Sequence, residues 1–160
     1  MNNFSYFSTV RTMFNNDLRE GLKQARSVLG VNKAMIMTDP GVAALPIWQE
    51  MQQAMKEIDF GFELFEQVKP NPTDVTMEQA ADALKATDCD CVIGFGGGSA
   101  IDCAKGIAAL GGLPVRLVAV PTTSGSGSEV TSFAILTLDG VKHPLVDPAL
   151  RPELAILDPT

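Results

Sequence analysis

Two segments of the sequence, Cys91-Val92-Ile93-Gly94-Phe95 and residues 115–120 apart from Arg116, are apolar at consecutive rather than alternate positions. A strand without a polar face must be covered on both sides, and such strands belong to parallel sheets whose crossover helices supply the cover. The surrounding segments fit that demand. Leu18, Leu22, Ala25 and Leu29 recur at helical spacing behind the capping candidates Asn15, Asn16 and Asp17, with Gly30 as a stop. Residues 34–38 read as a buried strand entering the turn Asp39-Pro40-Gly41. A helix over about residues 42–58 follows, provided Pro46 falls in a first turn. Residues 60–68 read as another strand, broken by Lys69-Pro70-Asn71-Pro72. Thr76-Met77-Glu78-Gln79 has capping-box spacing and opens a third helix. A glycine turn at residues 96–99 leads into an alanine-rich helix over residues 100–110. Near the end, residues 131–138 and 142–146 flank Asp139-Gly140 as a β-hairpin, and Ala155-Ile156-Leu157 is a last apolar run. The expected fold class is α/β: a parallel sheet with helices on both faces plus a C-terminal β-hairpin, in one domain over residues 1–160.

Composition removes several functions. A chain of 160 residues buries about 70% of its unfolded surface and needs no disulfide framework. Its three cysteines sit at Cys89 and Cys91, in an expected strand, and Cys103, on the next helix. That spacing supplies neither a redox Cys-x-x-Cys nor four zinc thiolates, so they read as small buried apolar residues. His143 is the only histidine, which excludes a multi-histidine metal centre and reads as a surface or hairpin residue. With 12 Lys+Arg against 19 Asp+Glu, the net charge of −7 is the wrong sign for a nucleic-acid partner. No apolar run approaches the ~18 residues of a membrane span, and Met1-Asn2-Asn3-Phe4-Ser5 has no basic flank. A cytoplasmic protein without a membrane partner is expected.

Chemistry concentrates in two loops. Gly94-Phe95-Gly96-Gly97-Gly98-Ser99 joins an expected strand to an expected helix, where glycines let the backbone approach an anion and free amides point at it. Ser99 stands where the usual dinucleotide fingerprint has its third glycine, and Lys105, followed by Gly106, rules out a Walker A loop. Residues 121–129, rich in hydroxyls, follow another buried strand, so both loops open at the same carboxyl edge of the sheet. Asp39, also at a strand end, suits the two hydroxyls of an adenosine ribose, although Asp-Pro-Gly is equally an ordinary turn.

Gly96-Gly97-Gly98-Ser99-Ala100-Ile101-Asp102-Cys103-Ala104-Lys105, then Pro121-Thr122-Thr123-Ser124-Gly125-Ser126-Gly127-Ser128-Glu129-Val130-Thr131, then Ala155-Ile156-Leu157-Asp158-Pro159 resemble, in order, three signatures of the iron-containing (group III) alcohol dehydrogenases. The resemblance spans essentially the whole chain and implies the N-terminal, Rossmann-like cofactor domain of such an enzyme, with NAD as cofactor. It implies that Gly97, Gly98 and Ser99 hold the pyrophosphate, with Asp102 nearby. Thr122, Thr123 and Ser126 would line the nicotinamide side, Asn71 would border the cleft, and Asp39 would select NAD. Lys142 matches a family lysine that reaches the cofactor, Thr131 closes the second signature in the cofactor-binding set, and Glu129 is expected to anchor its loop. The family holds divalent iron (or zinc) through one aspartate and three histidines in a C-terminal helical domain, so neither metal ligands nor catalytic residues are expected here. Hydride transfer between a small alcohol or aldehyde and the nicotinamide is implied for the full-length enzyme, with this chain alone inactive. One departure is the direct crossing Leu110-Gly111-Gly112-Leu113-Pro114, where family members carry a longer excursion. A non-enzymatic nucleotide-binding module, or a folding module that self-associates, remains the alternative. Phe4-Ser5-Tyr6-Phe7-Ser8-Thr9-Val10 offers an edge strand for a homodimer.

Overall fold

The computed structural model describes residues 9–14 and 17–159. In chain order the elements are β1 (Arg11–Phe14), α1 (Leu18–Leu29), β2 (Lys33–Met37), α2 (Pro40–Ala43), α3 (Pro46–Glu57), β3 (Gly61–Phe65), α4 (Asp74–Lys85), β4 (Cys91–Gly96), α5 (Gly98–Leu110), β5 (Arg116–Pro121), β6 (Phe133–Leu138), β7 (Val141–Val146) and β8 (Leu154–Leu157), with short 3-10 turns at Ser128–Val130 and Pro148–Leu150. Six strands form one sheet in the order β1-β8-β5-β4-β2-β3, every neighbouring pair parallel. The expected α/β architecture is therefore observed, and β6 and β7 form the separate antiparallel hairpin.

Both faces of the sheet are covered, as the apolar strands demand. Ile36, Ile93, Phe95, Val118 and Ile156 face α1 and α3, while Met35, Met37, Val92 and Leu117 face α4 and α5. The helix–sheet approach is closest at Gly94, where a Cβ would lie 2.9 Å from the Ile101 Cα. The hairpin does not extend the sheet. Its inward residues Ala134 and Leu136 are buried, and the Thr137 N–H donates to the Pro72 carbonyl at 2.7 Å, fastening it to the loop before α4.

Local chemistry moved several boundaries. The helix expected over residues 42–58 is two helices, because Leu45 is the extended residue before Pro46 and Pro46 opens α3 at its first turn. Thr76 lies inside α4 rather than capping it. The cap is Thr73, whose Oγ1 accepts the Thr76 N–H at 3.2 Å, a start that puts Asp74 in the positively polarised first turn. Asp17 is the cap of α1, and Gly30 closes that helix in the left-handed region, as expected. Cys89 precedes β4 and is half-buried rather than in a strand, whereas Cys91 and Cys103 are buried and all three thiols are free. Burial pushes the Cys103 thiol up to about 12. The proposed N-terminal edge strand lies outside the described residues as far as Ser8; Arg11–Phe14 supply the observed edge.

Candidate functional site

Chain order reverses between β2 and β4: β3 lies outward of β2 on one side, while β5 and β8 continue from β4 on the other. In an open parallel sheet, ligands bind in the crevice outside the carboxyl ends of the strands at such a switch point. The segments following β2 and β4 are Asp39 and the glycine turn. A cleft of about 880 Å³ opens there, with Asp39, Gly97, Gly98, Ser99 and Thr123 on its walls and the residue 66–70 loop after β3 closing one side.

The glycine turn is the first turn of α5, which starts at Gly98, two residues earlier than expected, with Gly97 as its cap. Gly97 has no side chain to accept the first helical amides, so those donors and the positive end of the helix dipole face the cleft. Gly96, at φ +150°, makes the turn possible, and a Cβ there would lie 2.9 Å from the Ala100 Cβ. Across the turn, a Cβ on Gly98 would come within 3.4 Å of the Ser126 Cβ, so the two loops are separated by little more than one methyl group.

Asp39 carries two roles at once. Its Oδ1 accepts the Val42 N–H at 3.0 Å and caps α2, while Oδ2 faces Gly96. Beyond the glycine turn lies a smaller recess of about 350 Å³, walled by Asn71, Ser99, Asp102, Ser126, Thr131 and Phe133 among others. Gly98 and Ser99 belong to both cavities, so the two are neighbours along the turn. The Asn71 N–H donates to the Ser99 Oγ at 3.3 Å, and Asn71 itself is left-handed at φ 55°, which bends its loop onto the turn.

Nine of the eleven expected cofactor-binding residues thus line one recess or the other. Thr122 and Lys142 do not. The Thr122 N–H donates to the Gly96 carbonyl at 2.9 Å as the end of the β4–β5 ladder, and Lys142 lies exposed on β7 opposite Thr137. The Asp102 carboxylate is occupied within the protein: Oδ1 accepts the Ser128 hydroxyl at 2.6 Å and Oδ2 the Ile135 N–H at 2.9 Å. The Glu129 Oε2 is buried without a hydrogen-bond partner among the described residues, so that oxygen anchors nothing.

Two residues were assigned no part in the site from the sequence. Lys105 is fully buried behind the smaller recess, and Ser128 is buried under Asp102. The signal for Lys105 was present, since a lysine three residues after an aspartate on an otherwise apolar helix calls for an internal partner. His143 is exposed on β7, as expected. Among the described residues, no group of three or more His, Cys, Asp or Glu is placed to hold a metal ion, and no helix is long and apolar enough to cross a membrane.

Residues 9–159 match the family described as iron-containing alcohol dehydrogenase. Alcohol dehydrogenase 4 of Schizosaccharomyces pombe is 35% identical over 160 residues, covering 89% of this chain and 38% of the yeast protein. A 1-propanol dehydrogenase of Citrobacter freundii is 40% identical over 131 residues, covering 78% of this chain and 35% of its own. Among solved structures, sulfoacetaldehyde reductase from Bifidobacterium kashiwanohense in complex with NAD+ superimposes with a TM-score of 0.85 at 26% identity, covering 99% of this chain and 47% of that one. The chain spans 35% to 47% of the length of these relatives. On sequence and on fold alike, it belongs to the iron-containing alcohol dehydrogenase family.

Proposed function

We propose that this chain binds NAD(H) across the glycine turn and serves as the cofactor-holding part of an iron-type alcohol dehydrogenase acting on a small alcohol or aldehyde. The observation that carries the reading is the uncapped first turn of α5 at the sheet's switch point, one methyl group's width from the second loop, with a free oxygen of Asp39 alongside. These residues fit a dinucleotide. The α5 amides suit the pyrophosphate, the Asp39 Oδ2 suits a ribose hydroxyl, and the smaller recess gives room for the nicotinamide end.

When bound, the nicotinamide ring supplies the hydride acceptor or donor. The chain's own residues do the holding. The glycine turn takes the diphosphate by backbone amides rather than by a cationic side chain, Asp39 discriminates against a 2′-phosphate by like charge, and the Ser126–Thr131 wall limits the tilt of the far end. Divalent iron does not fit this chain, because no ligand group among the described residues can hold it.

Titration of the purified chain with NADH, followed by nicotinamide fluorescence, tests the proposal: saturable binding is expected, and none at millimolar cofactor overturns it. A cytoplasmic location is supported by three unpaired thiols, which suit a reducing compartment. A homodimer through the sheet edge is supported by β1, whose Phe14 is 73% exposed. A second reading, a self-associating module without enzymatic activity, draws on the outer face of the hairpin, where Phe133, Ile135 and Val146 are exposed side by side. Sedimentation as a clean monomer at high concentration would remove both the dimer and the second reading.

A further inference from the structure

Met77, on α4, ends in a slot on α5 that only a glycine provides. A Cβ on Gly106 would clash with the Met77 Cε and lie 3.4 Å from its Sδ, so this thioether rests directly on the helix backbone. The Leu136 Cδ1, 3.4 Å from the same point, brings β6 to the contact. One turn earlier on α5, the Cys103 S–H donates to the Met77 Sδ at 3.7 Å. One sulfur atom therefore joins α4, α5 and the hairpin. Met77 is also only partly buried, whereas Met35, Met37, Met51 and Met55 are at most 2% exposed. Among the described methionines, only Met13 on β1 shares that access to solvent.

We propose that Met77 is a modification site, oxidised to the sulfoxide by a hydroperoxide, and that its oxidation lowers cofactor affinity; the second clause rests on the reading that NAD(H) occupies the cleft. With hydrogen peroxide, the O–O bond breaks, one oxygen bonds to the Met77 Sδ, and the other leaves as water, a two-electron oxidation of the sulfur. The product is polar and larger at the sulfur, and the slot between Gly106 and Leu136 has no room for an added oxygen. The Cys103 thiol does not compete for the peroxide. Burial pushes it up to about 12, and the thiolate is the reactive form.

The route from Met77 to the cleft is short. Its N–H donates to the Thr73 carbonyl at 2.9 Å in the first turn of α4, directly after the Pro70-Asn71-Pro72 loop. Pro70 lines the cleft, as does Gln79, two residues beyond Met77. The Asn71 N–H holds the Ser99 Oγ of the glycine turn, and the Pro72 carbonyl holds the Thr137 N–H of the hairpin. A thioether forced out of its slot therefore moves the start of α4 away from α5. Two parts of the cleft wall and the Asn71–Ser99 hydrogen bond move with it.

The experiment treats the wild type, Met77→Leu and Met13→Leu with hydrogen peroxide, reads every methionine by peptide mass spectrometry, and then titrates NADH by fluorescence. In the wild type, Met77 and Met13 are expected to gain one oxygen each while Met35, Met37, Met51 and Met55 stay unmodified. NADH affinity is expected to fall at least about fivefold, the lower end of ordinary coupling between sites. Met13→Leu should lose affinity to the same extent. Met77→Leu, a volume-conserving change, should bind NADH like the untreated wild type and keep that affinity after peroxide. Met77 left unmodified at doses that oxidise Met13, an affinity unchanged with Met77 fully oxidised, or an equal loss in Met77→Leu overturns the proposal. Should circular dichroism show Met77→Leu unfolded, graded peroxide on Met13→Leu decides, since the loss must follow the fraction of Met77 sulfoxide. Wild type that binds no NADH before treatment overturns the cofactor reading and the coupling together, with the mass spectra still deciding the modification. Binding that survives Met77 oxidation overturns the coupling alone.

Discussion

Asp39 is one carboxylate asked to do two things, cap α2 through Oδ1 and present Oδ2 to the cleft. The two separate by substitution. Asp39→Gly, which sacrifices only a few tenths of a kcal/mol of capping, is expected to raise NADP affinity relative to NAD, as measured by competitive titration of both cofactors; an unchanged ratio would remove Asp39 from the specificity role. Gly98 makes the complementary case. An added Cβ meets Ser126 at 3.4 Å and clashes with nothing, yet it occupies the gap between the loops. Gly98→Ala should therefore leave the thermal midpoint nearly unchanged while weakening NADH binding at least tenfold, on the order of 1.4 kcal/mol. Lys105 also predicts a stability trend. Its folded pKa of about 8 lies below its ordinary 10.5, so the unfolded chain holds a proton that the folded chain gives up between those values. Charge burial penalises the fold fully below about pH 8, and stability should rise from there towards pH 10.5. Urea midpoints of wild type and Lys105→Met across that window test it; parallel curves would contradict it.

At the scale of elements, α5 organises the site. Its first turn faces the cleft, its Asp102–Lys105 face holds the passage into the hairpin, and its apolar face closes on β4 at Gly94. The contact at Gly94 is backbone to backbone, so a side chain there cannot be accommodated by rotating a neighbour. Gly94→Ala is expected to cost about 1–3 kcal/mol, read as a lowered urea midpoint, and to disturb cofactor binding because the helix start moves with the helix. The hairpin turn has a simpler cause. Asp139 and Gly140 both have positive φ, at 51° and 75°, the pairing that favours a two-residue turn matching the strand twist. That element was readable from two letters. The split between α2 and α3 was half readable: Pro46 marked the start of a helix, but nothing local showed that Asp39 would already have capped one turn before it.

For the whole molecule, the fold gathers its polar loops at one edge of the sheet. Described residues gather a dinucleotide-sized cleft and no metal-binding group, in a chain spanning 35% to 47% of its compared relatives. The purified 160-residue chain, supplied with NAD, iron or zinc and a short-chain alcohol, is expected to show no turnover while still binding NADH; measurable alcohol oxidation would overturn that expectation. The strand order supplies the cleft's position. Because β4 inserts beside β2 and the chain then proceeds away from β3, the ends of β2 and β4 diverge and leave a crevice.

The sequence by itself determined the α/β class, through strands with no polar face, and most of the lining of the cleft and the smaller recess, through glycines and hydroxyls at strand ends. These features are local: the period of apolar residues and the conformational freedom of glycine act within a few residues of where they are read. Tertiary structure alone decided that β8, a brief apolar run near the end of the chain, lies between β1 and β5, and that Thr122 and Lys142 stand outside the recesses while Lys105 sits behind one. Those outcomes depend on which distant segments share a face. The partners of a buried lysine are chosen by packing, since Thr131 and Phe133 reach Lys105 only after β6 has folded back over α5.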